Sequence, residues 1–108
     1  MPEASRSSER RRGRRAAVAF HVEERTNDAL YFQRATSLSP SGVWLEGTLP
    51  HPPGTRVELD LELPGGRTRV AGEVVGRDPE SPGMAVRFVD LSDDSRARLE
   101  ALVSRLCA

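Results

Sequence analysis

The stretch Arg56–Gly66 reads RVELDLELPGG, and its strict alternation leaves little choice of structure. Val57, Leu59, Leu61 and Leu63 fall on one side of an extended chain, and Arg56, Glu58, Asp60 and Glu62 on the other. A helix would scatter these apolar residues around its circumference. A strand gathers them on one face, because its side chains alternate with period two. Pro64-Gly65-Gly66 supplies turn chemistry. Thr68, Val70, Gly72 and Val74 then continue the alternation on the way back. The chain is therefore organised around an antiparallel hairpin with one apolar face that must be covered.

The same period recurs elsewhere. Val18, Phe20 and Val22 alternate with Ala19, His21 and Glu23, which places His21 on the outer face of a first strand. Thr26–Asp28 signals a turn, and Leu30 to Ala35 a second strand. Gly42–Gly47 makes a short third strand, and Met84, Val86 and Phe88 a sixth. Leu49–Gly54 is a proline-rich connection, which cannot be a central strand, and Asp78–Gly83 is a turn. Gly72 in mid-strand suggests a bulge or a sharp bend. After Ser92, a good helix N-cap followed by Asp93 and Asp94, the period changes. Leu99, Leu102, Val103 and Leu106 recur at helical spacing and form an apolar stripe expected to enter the core. The predicted fold class is all-β: a six-stranded antiparallel β-barrel with a C-terminal α-helix.

At 108 residues the chain has the size of one domain. Residues 1–9 are small and polar and are expected to form a disordered N-terminal tail, with a single domain over residues 10–106. The net charge is zero, but it is unevenly spread: residues 1–15 carry a net +4 and the remainder a net −4. This pattern is a near-neutral body with a basic arm, and not a generally basic nucleic-acid coat. The single cysteine, Cys107, excludes an internal disulfide. His21 and His51 have no Cys or carboxylate at ligand spacing, so no metal site is expected. No nucleophile–base arrangement stands out, and the chain reads as a non-enzyme without cofactors. No apolar run approaches a membrane span and no signal core precedes the fold, so a cytoplasmic protein without membrane insertion is expected.

Two segments carry the functional signal. Arg10, Arg11, Arg12, Arg14 and Arg15 crowd into six positions, although 16 arginines in 108 residues would place about one there. The pair Arg11 and Arg15 forms R-x-x-x-R. The second segment is Ser37-Leu38-Ser39-Pro40-Ser41-Gly42, followed by Val43-Trp44-Leu45. This order resembles the PilZ domain family, bacterial receptors for cyclic di-GMP. Its members carry R-x-x-x-R before the first barrel strand and [Asp/Asn]-x-Ser-x-x-Gly leading into the third. Ser39 and Gly42 stand on the Ser and Gly of that motif, and Gly83–Phe88 also resembles family members.

The resemblance implies that Arg11, Arg15, Ser37, Ser39 and Gly42 bind cyclic di-GMP, with Arg10, Arg12 and Arg14 as additional candidates. It also implies an unidentified protein partner in motility or surface-polysaccharide control. The chemistry is coherent. Arginine can donate a parallel pair of hydrogen bonds to guanine O6 and N7 or meet a phosphate, and a serine hydroxyl can donate to a phosphate oxygen. The sequence departs from the motif at its first position, where Ser37 replaces Asp or Asn. A carboxylate accepts from both guanine N1–H and N2–H, and one hydroxyl cannot. A protein-interaction module of the same fold that has lost the ligand is therefore the rival reading. A nucleic-acid binder would use the basic arm but lacks interleaved aromatics. Trp44 reads more readily as a barrel residue than as a stacking platform. Oligomeric state, a homodimer included, is not encoded in these motifs.

Overall fold

A computed structural model describes residues 15–46, 51–76 and 83–107. The expected tail over residues 1–9, the arginines at positions 10, 11, 12 and 14, Gly47 to Pro50, and most of the Asp78–Gly83 turn lie outside the described residues. The elements are β1 (Ala16–Arg25), β2 (Leu30–Ser39), β3 (Gly42–Glu46), β4 (Arg56–Leu63), β5 (Gly66–Gly76), β6 (Met84–Val89) and α1 (Asp93–Cys107). The six strands close into an antiparallel barrel in the order β1-β2-β3-β6-β5-β4. Closure gives every strand two hydrogen-bonded neighbours.

The hairpin that dominates the sequence pairs without interruption, from Arg56 opposite Glu73 to Leu63 opposite Gly66. Its inward residues Val57, Leu59, Leu61 and Val70 join Val22, Leu38, Leu45, Met84 and Val86 in one core. Each such side chain contributes about 1.5–3 kcal/mol by leaving water. Asp60 lies on the outer phase as expected but is only 5% exposed. Arg69, its cross-strand neighbour, covers it with paired hydrogen bonds of 2.9 and 3.2 Å.

Gly72 does not mark a bulge: it pairs in register with Val57 on one side and Phe88 on the other. The register break between β5 and β6 falls instead at Val75. Gly72 is required for space, since a Cβ there would lie 2.5 Å from Val86 Cγ1.

Helix α1 closes one end of the barrel. Ser92 Oγ accepts from Ser95 N over 3.0 Å, which is the expected N-cap. Asp93 and Asp94 occupy the first turn and Arg105 the last, both favourable to the helix dipole. Leu99, Leu102 and Val103 enter the core, but Leu106 remains 47% exposed. The stripe is thus narrower than its spacing implies. Leu106 lines an open apolar groove with Leu102, Phe20 and Leu63.

At the opposite end, His51 is held against the barrel. His51 Nε2 lies 2.7 Å from Oε2 of Glu24, a fully buried inward residue at the end of β1. The other Glu24 oxygen accepts from Gln33 Nε2 over 2.6 Å. Tyr31 meets the His51 ring edge-on at 5.1 Å.

Candidate outer-face ligand site

The β2–β3 turn is built by its own hydroxyls. Strand β2 runs four residues beyond the expected Ala35, to Ser39, so the second motif lies on a strand end and a two-residue turn. Ser39 is buried. Its Oγ accepts from Ser41 N over 3.3 Å and donates to Gly42 O over 3.3 Å. Gly42 has no positive φ among the described residues. Its lack of a Cβ serves close packing instead: a Cβ would lie 2.6 Å from the Val86 carbonyl oxygen. Phe88 N donates to Ser41 O over 2.8 Å and ties the turn to β6. Ser39 and Gly42 therefore shape the site, each through a contact internal to the fold.

Ser37 is aimed outward by a bulge. Opposite β3, Ala35 pairs with Leu45 and Ser37 with Trp44, so Thr36 is an extra residue in β2. Before it, the odd positions Gln33 and Ala35 are buried; after it, Leu38 is buried and Ser37 half-buried. Without that extra residue the alternation would turn Ser37 into the barrel. Ala17 pairs with Ser37 from β1. Arg15, two residues earlier and exposed, donates from Nη1 to Ser37 Oγ over 3.4 Å. The structure thus brings together two of the residues singled out in the sequence, 22 positions apart. Arg11, with Arg10, Arg12 and Arg14, lies outside the described residues.

Several arginines on the outer face are paired with carboxylates. Arg69 meets Asp60, Arg67 meets Glu62 and Arg87 meets Glu73 at 2.7–3.1 Å. The hydrogen bond from Arg69 holds the Asp60 carboxyl below the usual carboxylate range, and the same bond raises Arg69. Arg15 is held by a neutral hydroxyl, and no carboxylate pairs with it among the described residues.

Two further features adjoin the site. Trp44 stands on the outer face between Ser37 and Ala85, a position legible from the inward Val43 and Leu45 that flank it. Cys107, in the last turn of α1, donates from Sγ to the Arg15 carbonyl over 3.3 Å. No sequence signal links those two residues across 92 positions. Among the described residues, no His, Cys, Asp and Glu group could hold a metal ion, and no helix is long and apolar enough to cross a membrane.

Solved structures share this architecture. The PilZ domain of YcgR from Escherichia coli, determined with c-di-GMP, superposes with a TM-score of 0.73 at 18% identity, covering 90% of this chain and 91% of that one. The PilZ domain of CeSA from a cellulose-synthesizing bacterium gives 0.67 at 17% identity, over 87% and 98% of the two chains. The Bacillus subtilis inhibitor of motility MotI gives 0.68 at 18% identity, over 84% of this chain and 47% of that one. A search of curated protein sequences finds no match. The PilZ domain family model matches residues 9–105, which span the arginine cluster, the whole barrel and nearly all of α1. The chain belongs to the PilZ domain family.

Proposed function

We propose that this protein is a regulatory PilZ domain that binds cyclic di-GMP on the outer face of its barrel. The observation that carries the reading is the Arg15–Ser37 contact. An arginine without a carboxylate partner among the described residues stands over a half-buried hydroxyl, and these two residues come from the two segments singled out in the sequence. In the bound state Arg15 and Arg11 turn to the ligand, one to guanine O6 and N7 and the other to a phosphate, with Arg10, Arg12 and Arg14 adding charge. Ser37 contributes its single hydroxyl, and Ser39 with Gly42 holds the turn that presents it.

The readout follows from what Arg15 touches. Its carbonyl accepts from Cys107 at the end of α1. A ligand that repositions Arg15 therefore also changes the seating of the helix terminus, and with it a surface offered to a partner protein. Binding would also order the arginine arm against the barrel, a common form of switch.

Ser37 favours a second reading: a PilZ domain that binds proteins without the nucleotide. Relative to a carboxylate, its hydroxyl forfeits a charge-assisted contact of about 1.5–3 kcal/mol, or about tenfold to a hundredfold in affinity. Calorimetric titration with cyclic di-GMP separates the two. Saturable heat at micromolar ligand, lost in Arg15→Ala, supports the receptor. No heat at high micromolar ligand, with binding gained in Ser37→Asp, supports the interaction module.

A further inference from the structure

We infer that Trp44 is the platform on which one guanine of the ligand stacks, an inference that rests on the proposed binding of cyclic di-GMP. The register across five strands carries it. Ala17 pairs with Ser37, Ser37 with Trp44, Trp44 with Ala85, and Ala85 with Gly76. One outward row thus crosses β1, β2, β3, β6 and β5. Four of its five members are Ala, Ser or Gly, and the fifth is the chain's only tryptophan.

Neighbours this small leave the indole flanked by low ground. Ala85 on one side and Ser37 on the other rise no further than a methyl or a hydroxyl. Beyond Ala85, a Cβ on Gly76 would meet nothing within 4 Å. No other ring covers the indole either, since the ring contact among the described residues joins Tyr31 to His51 at the far end of the barrel. Trp44 itself is half-buried, and the part of its surface left exposed among the described residues is where a planar base would lie.

The chemistry on either side fits a guanine in that place. Ser37, the cross-strand neighbour of Trp44, accepts from Arg15, so a guanidinium stands one residue away from the ring in the same row. A base stacked on Trp44 would turn its edge toward that guanidinium. Stacking supplies affinity and tolerates any base, whereas the arginine fork selects guanine by O6 and N7. Trp44 also compensates at the position where the motif is weakest, because it adds stacking energy directly beside the serine that replaces the carboxylate.

Because Trp44 is the chain's only tryptophan, its fluorescence reports on this site alone. The test titrates cyclic di-GMP into the full chain, following calorimetric heat and tryptophan emission together. The inference expects emission to be quenched over the same concentration range as the heat. It expects Trp44→Ala to weaken binding by about tenfold or more, and Trp44→Phe, which keeps an aromatic face, to retain most of the affinity. Circular dichroism and thermal melting establish that both variants are folded, and the wild-type emission change needs no variant. Calorimetric binding with unchanged emission, or with equal affinity in folded Trp44→Ala, overturns the stacking role and leaves the receptor standing. Absence of calorimetric binding in the wild type overturns the receptor and the stacking role with it.

Discussion

Arg15 Nη1 lies 3.4 Å from Ser37 Oγ, which joins the residue before β1 to the third-last residue of β2 without any opposite charge between them. Under the proposed function, replacing Ser37 with Asp supplies a carboxylate able to accept from both guanine N1–H and N2–H. Ser37→Asp is expected to tighten cyclic di-GMP binding by about tenfold to a hundredfold, measured by calorimetry. Unchanged or weaker binding would mean that this position does not face the base.

Gly42 packs against β6 with no room for a methyl group. A Cβ would lie 2.6 Å from the Val86 carbonyl oxygen, which is backbone and cannot swing away. Gly42→Ala is expected to destabilise the fold by about 1–3 kcal/mol through forced separation of β3 and β6. The thermal midpoint then falls by about 4–8 °C per kcal/mol for a domain of this size. A melt that matches the wild type would show the contact to be relaxed at little cost.

The Asp60–Arg69 pair makes a pH-dependent contribution. The folded carboxyl is held below its unfolded value by the Arg69 hydrogen bond. Its stabilising effect is therefore complete above the ordinary aspartate range and is lost as pH falls through the depressed folded value. Asp60→Asn is expected to be less stable than the wild type at neutral pH, with the gap closing in acid below about pH 4. Urea unfolding across pH checks this. A gap that is constant with pH would remove the ion pair from the account.

At the other end of the barrel, His51 and Glu24 secure the proline-rich connection. His51→Ala leaves Glu24 Oε2 facing an apolar interior, at a cost of about 1–3 kcal/mol. Adding Glu24→Gln to that variant is expected to restore part of the loss, because an amide can still accept from Gln33 and buries no carboxylate. Strictly additive losses in denaturant unfolding would contradict a coupled pair.

These four sites also mark what the sequence reveals and what it conceals. The β4–β5 hairpin and the capped helix were legible because their periods of two and 3.6 run unbroken. The length of β2 was not, because Thr36 resets the phase and Ser37–Ser39 then resembles a polar turn. Glu24 continues the inward phase of Val22 and could be placed by counting, although its charge suggests the surface. The outward Trp44 follows from Val43 and Leu45 in the same way. Leu106 fits the helical stripe, yet it lines a groove beside β1 and the end of β4 and stays half-exposed. The Cys107–Arg15 contact depends on where α1 docks, which periodicity does not specify. Of the candidate ligand residues, the motif reading named Arg15 and Ser37, which the structure places in contact, while Ser39 and Gly42 flank the turn between β2 and β3.

The most direct test of the central claim is a backbone amide NMR titration of the full chain with cyclic di-GMP. The account predicts saturable shifts concentrated at Arg15–Ala17, Ser37–Trp44 and Ala85, with an echo at Cys107 through its contact with Arg15. It also predicts little change in the cleft at the far end of β1, lined by Arg25, Thr26, Asn27 and Arg56. Saturable shifts confined to that far cleft, or none at high micromolar ligand, would contradict it.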